Sequence, residues 1–257
     1  MKRIFFIMIA LMATLAISAQ TIEVYEYDRS GNLNNVPAYT YSKRVKVIFK
    51  DNNEEEHDYI DLGLPSGTLW ATCNIGANSP EDYGFYFAWG ETTGYGTSDY
   101  HQFNAENYKW CNRQNKLDKY CNKNLNGNVD NRIELEYSDD AATANWGGNW
   151  CMPTNAQQEE LINPDYTTTE WTTQNGVKGC KITSKINGNS IFLPAAGYRS
   201  DANFYNQGKS GGYWSCELYL DSPVLAYLLQ SSSYGSGAYD CGGRYGGRTI
   251  RPVRCPK

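Results

Sequence analysis

The chain closes on GRYGGRTIRPVRCPK, residues 243–257. Two readings of this run compete, and they lead to different folds. Four arginines among glycines would suit a basic tail that grips phosphate. Alternatively, TIRPV is a last strand and its arginines belong to the scaffold. The chain as a whole carries a formal net charge of -5. Nucleic-acid affinity comes largely from phosphate neutralisation, so an acidic chain argues against that class of partner. The strand reading is therefore preferred. Arg248 and Arg251 become scaffold residues that hydrogen-bond loops or pair with carboxylates such as Asp139 or Asp140. Arg244 and Tyr245, in the loop just before the strand, become candidates for contact.

At the other end, MKRIFFIMIALMATLAISAQ joins Lys2 and Arg3 to an apolar run and the small pair Ser18-Ala19. This is the build of a secretory signal peptide, expected over residues 1–19. The apolar run is shorter than the ~20 residues of a spanning helix, so no membrane insertion is expected after cleavage. The mature chain is then exported, to the periplasm, the cell surface or the medium. Eight cysteines, an even number, suit an oxidising compartment. They form no C-x-x-C, and His57 and His101 are the only histidines, so a structural zinc site is not expected.

Residues 20–57 read as a short β segment and linker. TIEVYEY and RVKVIF alternate as strands do, and DNNEEEHD is a solvated connection. Residues 58–257 form the main domain. GCKITS, SIFLPA, GYWSCELY, VLAYLLQ and TIRPV are strand-like, separated by Gly, Asn, Ser and Pro. Two stretches are helical. One starts near SDDAATAN with Ser138 or Asp139 as cap; the other is PTNAQQEELI, with Thr154 and Gln157 in capping-box spacing. Few helices among many short strands indicate an α+β domain with long ordered loops.

DLGLPSGTLWATCNIGA, YFAWGET, DDAA…NWGGNWCMPT, EWTTQNGVKGCKIT, NSIFLPAAGYR, GGYWS and GRTIRPV follow one another in this order. Together they resemble the Fibrobacter succinogenes major paralogous domain, common in surface and secreted proteins of gut Bacteroidetes. The resemblance covers roughly residues 59–254. It implies a C-type lectin-like fold of the formylglycine-generating-enzyme kind: small twisted antiparallel sheets, two or three short helices, and a ligand-binding face near the C-terminal end. It also places Cys111 and Cys121, which enclose nine residues, as a local disulfide. Cys151, Cys180, Cys216 and Cys255 stand where the family carries other residues, and at least one added disulfide is expected to involve this group.

Each functional motif has a plainer rival. Trp70, Trp150 and Trp214 lie in apolar or strand-like runs and are expected in the core rather than stacked on sugar. Asp139-Asp140 suits a helix N-cap better than a calcium site. The Glu-Pro-Asn and Trp-Asn-Asp signatures of calcium-dependent lectins are missing; Asn163-Pro164-Asp165 is the nearest echo. No metal and no cofactor are expected. Glu159-Glu160 and Glu134 with Glu136 offer carboxylates for glycoside hydrolysis, but only if a cleft brings a pair together. No catalytic residue is assigned and the chain is read as a non-enzyme. A carbohydrate-active hydrolase or formylglycine-type oxidase is the rival, and a structural surface component a third reading.

Asparagine is frequent up to residue 206, with 25 occurrences, and missing from 207–257. Tyrosine, serine and glycine stand in its place. This is a paratope-like composition, in which Tyr supplies contact area and Ser/Gly adaptability. The expected contacts are Tyr213, Glu217, Tyr219, Tyr227, Tyr234, Tyr239, Asp240, Arg244 and Tyr245, facing a glycan or a surface protein. In a sharper version a diversity-generating retroelement replaced asparagine codons, with Cys216, Asp221 and Asp240 in its palette. The plainer version, a family that already uses Tyr/Ser/Gly strands here, is preferred.

Overall fold

Short apolar bursts with a turn signal at each end have too few residues for one large sheet. Among the described residues they fold instead as five small antiparallel sheets. The computed structural model describes residues 57–255, together with the backbone of 22–24 and 39–41. It divides into two units, 1–53 and 54–257. In the first, β1 (Ile22–Val24) pairs with β2 (Tyr39–Tyr41). The expected strand RVKVIF, like the leader, lies outside the described residues.

In the second unit, β3 (Tyr59–Asp61) and β4 (Leu69–Ala71) form a hairpin. A long stretch follows without regular strands. It ends in a 3-10 turn at Tyr137–Asp139 and helix α1 (Ala141–Trp146). The cap of α1 is Asp140, whose carboxylate accepts from Thr143 N; Ser138 and Asp139 were the expected caps. The extra turn before the helix shifts its start, and Asp139 is taken up by Lys119 and Tyr120. After β5 (Trp150–Cys151) comes α2 (Asn155–Leu161), with the expected Thr154–Gln157 capping box formed in both directions.

β6 (Thr167–Gln174), β7 (Val177–Ser184) and β8 (Ser190–Pro194) make one meander. Its first turn is Asn175-Gly176 with φ of 48° and 84°. Two positive φ values in a two-residue loop are the demand of a type I′ hairpin, and Asn-Gly meets it at least strain. β9 (Tyr198–Ser200) and β10 (Asn203–Tyr205) form a small ribbon. β11 (Ser210–Leu218), β12 (Leu225–Ser232) and β13 (Gly235–Gly243) form the C-terminal sheet. β13 is GSGAYDCGG, with four glycines in nine residues, and it is not among the strand-like runs of the sequence. Glycine is depleted in strands, so local composition hid a strand that pairing with β12 imposes.

The closing segment is a strand contributor, as expected, though a brief one. β14 (Val253–Arg254) lies between β4 and β5, with Val253 opposite both Trp70 and Cys151. Upstream of it, Thr249 bridges Tyr213 and Arg248 bridges Phe87. The end of the domain thus closes onto its beginning.

Almost every residue of β11 is buried because core lies on both of its faces. Trp214, Cys216 and Leu218 point into a cluster with Phe87, Trp89, Trp150 and Leu228. Tyr213 points the other way, toward Trp70, Leu161, Leu193 and Leu229. Trp70, Trp150 and Trp214 are core residues, as their apolar context predicts. A third cluster of Tyr86, Phe103, Tyr108, Leu117 and Cys121 supports the long loops.

Three arginines hold those loops. Arg199, Arg244 and Arg251 are each 1% exposed, and none makes an ion pair among the described residues. Their donors go to main-chain carbonyls instead. Arg251 binds the carbonyls of Ala71, Thr72 and Phe192 and the side chain of Asn74. Arg199 binds those of Gly96, Asp99 and His101. Buried carbonyls without a partner would be costly, and a guanidinium offers five donors in a fixed fork. Arg251 is a scaffold residue as expected, but through carbonyls rather than Asp139 or Asp140.

All eight cysteines are free thiols. The expected Cys111–Cys121 bridge is not formed. Residues 110–118 close on themselves through backbone bonds from Asn112 to Lys116 and from Asp118 to Trp110. Cys121 lies beyond that loop, buried, with its thiol donating to Lys123 O. Of the group expected to carry an added bridge, none is bonded, and the Cys151 thiol donates to Val253 O. Burial, followed by the neighbouring Cys255 thiol, pushes the Cys151 thiol well above its ordinary value.

Candidate functional site: the open half of the C-terminal sheet

Alternation along β11 and β12 sends odd-numbered residues to one face of the C-terminal sheet and even-numbered ones to the other. The odd face carries Tyr213, Ser215 and Glu217 from β11 and Leu225, Tyr227 and Leu229 from β12. Helix α2 docks over one half of this face: Gln158 donates to the carbonyls of Tyr213 and Trp214, and Leu161 packs with Tyr213 and Leu229. The N-terminus of α2 stops at Glu217, whose carboxylate accepts from Asn155 N at 2.6 Å. Beyond Glu217 the face is open.

The open half brings together Glu217, Tyr219, Tyr227 and Tyr245 from the expected contacts. The rings of Tyr219 and Tyr227 meet edge to face at 5.1 Å and 71°. Both are half-buried, so each offers part of its ring and a phenol to solvent. Burial raises the Tyr227 phenol pKa, and Tyr219, Asp221 and Glu217 nearby add to the shift. Tyr227 is therefore a firm donor at neutral pH. Tyr245, 40% exposed, lies against Gly243, where a Cβ would come within 3.3 Å of its ring. Cys241 faces Tyr227 across the ladder. The loop that carries Tyr219, Leu220 and Asp221 is tied down from outside the sheet. Asn122 donates to Leu220 O at 2.9 Å, and Lys123 donates to Asp221 O.

The other expected contacts fall elsewhere. Tyr213 is 1% exposed and its hydroxyl donates to Pro194 O, so it is core rather than contact. Its position under α2 is the reason. Arg244 is also withdrawn. It is buried among Trp89, Tyr108 and Tyr120, and it donates to the carbonyls of Lys119, Tyr120 and Pro223 and to the Tyr108 hydroxyl. Tyr234 is fully exposed at the β12–β13 turn, at the far end of the sheet from Tyr219. Asp240 is exposed on the even face, with its carboxylate accepting from Cys241 N. The side chain of Tyr239 lies outside the described residues. Cys216, one of the three palette residues, is in the core.

Of the catalytic candidates, Glu136 pairs with Lys119 and Arg132, and Glu134 bridges Glu217. Glu160 accepts from the backbone and hydroxyl of Ser66, and Glu159 accepts from Asn155. Both line an open depression of about 610 Å³ between the end of α2 and Ser236–Ala238. His101 stacks on Tyr95 at 3.8 Å and His57 on Trp146 at 3.7 Å. Burial, with Arg199 nearby, lowers the His101 pKa. Asp139 and Asp140 diverge in role, as helix capping and ion pairing demand. Burial raises the Asp140 pKa, while Lys119 and Tyr120 overcome burial at Asp139 and hold its carboxyl low.

Fold and site together define a class: a small-sheet, loop-rich domain that displays partly buried tyrosines on a braced sheet. The chain matches no family model, no curated protein and no solved structure.

Proposed function

We propose that this is an exported, calcium-independent ligand-binding protein of the C-type lectin-like kind, and that it recognises a glycan or a surface protein. The Tyr219–Tyr227 pair carries this reading. Two aromatic rings held edge to face on a rigid sheet, beside the carboxylate of Glu217, offer area and directed polar groups at low entropic cost. Neither tyrosine is needed to close the core, since the clusters on both sides of β11 form without them. A glycan array run beside a hydrolase and oxidase turnover screen tests the class. Binding without turnover is expected; turnover would transfer the chain to the enzymes. In the double variant Tyr219→Ala/Tyr227→Ala, affinity for the array hit should fall at least about 10-fold. Unchanged affinity would move the site elsewhere.

A further inference from the structure

Arg248 differs from the other three arginines of its kind. Arg199, Arg244 and Arg251 each spend their donors on main-chain carbonyls. The Arg248 guanidinium makes no side-chain hydrogen bond or ion pair with any described residue, whereas Arg199, whose Nε is also buried without a partner, still donates from its other nitrogens. Arg248 lies instead against two rings, with Cζ 5.0 Å from the centroids of both Tyr198 and Trp214. Tyr205 continues the stack, parallel to Tyr198 at 5.2 Å and partly exposed.

Glycines make room for this cation. A Cβ at Gly242 would lie 2.4 Å from Arg248 Nη2, and one at Gly212 would lie 3.5 Å from its Cδ. The same even face carries Asp240, which influences Arg248 electrostatically but lies outside ion-pair distance and is engaged with Cys241 N. Gln230 extends its amide oxygen over Gly212 beside the arginine. Burial lowers the Arg248 pKa to about 10, so it remains a cation at neutral pH.

A desolvated, unpaired guanidinium is expensive, and a fork of free donors matches a carboxylate in two-point geometry. We infer that Arg248 anchors a second ligand site, a slot on the even face of the C-terminal sheet that takes the carboxylate of an acidic sugar. The rings lie against the guanidinium and leave its edge for the carboxylate. Gln230 supplies a neutral partner for a sugar hydroxyl, and the exposed ring of Tyr205 an apolar flank. This site lies across the sheet from Tyr219 and Tyr227 and does not depend on the function proposed for them.

The test is a titration of the full mature protein, followed at the Arg248 Nε–Hε resonance. The probes are sodium glucuronate, glucose, sodium acetate and N-acetylglycine. Glucuronate should give a saturable shift, acetate a shift at least about 5-fold weaker, and glucose none. Arg248→Gln should abolish the shift of neighbouring Trp214 Nε1, and Arg248→Lys should weaken binding at least about 10-fold while keeping the charge. The variant Tyr219→Ala/Tyr227→Ala should bind glucuronate as the parent does, which separates this site from the first. No saturable response to glucuronate, or an equal one in Arg248→Gln, would overturn the site. Acetate or N-acetylglycine binding as tightly as glucuronate would overturn the sugar assignment. A pair serving only each other would also overturn it: Arg248→Gln and Asp240→Asn would then lower the melting temperature alike and non-additively, with no glucuronate response.

Discussion

Among single residues, the arginines show how environment, rather than residue type, sets role. Arg244 is enclosed by three aromatic rings and three carbonyls, so removing its head leaves those carbonyls bare. Arg244→Ala should destabilise the fold by about 3–5 kcal/mol, read as a loss in chemical denaturation midpoint. Arg244→Lys should recover little of this, because an ammonium cannot reach all the carbonyls at once. Asp139 gives a pH-dependent counterpart. Its carboxyl is buried, which opposes ionisation, but Lys119 and Tyr120 hold its pKa below the ordinary value. A lowered carboxylate pKa contributes stability above the unfolded value of about 4, and that contribution is lost as pH falls through the folded value. Asp139→Asn should therefore cost about 3 kcal/mol at neutral pH and much less near pH 2. Equal costs at both pH values would show that the ion pair contributes nothing.

Individual elements succeed or fail by their ends and their close approaches. The capping box of α2 was legible as Thr154 and Gln157, and Thr154→Ala should lower stability by about 1 kcal/mol. The β6–β7 hairpin carried an equally clear signal in Asn175-Gly176, yet the strand-like runs singled out began only at Gly179. β13 gave no local signal, and only the register against β12 makes it a strand. Gly197 marks a different constraint. Its φ is +64°, and a Cβ there would lie 2.0 Å from Tyr205 O, a backbone atom that cannot move aside. Gly197→Ala should cost more than about 2 kcal/mol and loosen β9–β10, seen as faster amide exchange at Arg199 and Phe204.

For the domain, the closing segment acts as a clasp. β14 joins β4 to β5, and Arg251 binds the carbonyls of Ala71 and Phe192. A chain truncated after Gly247 should fail to fold cooperatively, giving a broad thermal transition in place of a single sharp one. The thiols report on the same packing. Cys121, Cys180 and Cys216 are buried, and burial with nearby Glu134 raises the Cys216 thiol pKa. In alkylation of the native protein these three should react last, and only through unfolding. Early labelling of Cys216 would mean that the sheet opens locally.

The sequence by itself determined the strands that have apolar runs, the two helices, the buried tryptophans and the acidic charge balance, because each follows from local composition and spacing. Its tyrosines also singled out the half of the chain on which the proposed binding face is placed. Tertiary structure alone decided which of those tyrosines can touch anything. Tyr213 and Tyr219 point to the same face of one sheet, and α2 covers the first and stops before the second. The arginines exchanged roles for the same reason. Arg244 looked like a contact and is sealed under loops drawn from residues 108–120. Arg248 looked like scaffold and is left without a partner. Each follows a Gly-Gly pair, and what distinguishes them comes from elements more than a hundred residues away or across the sheet.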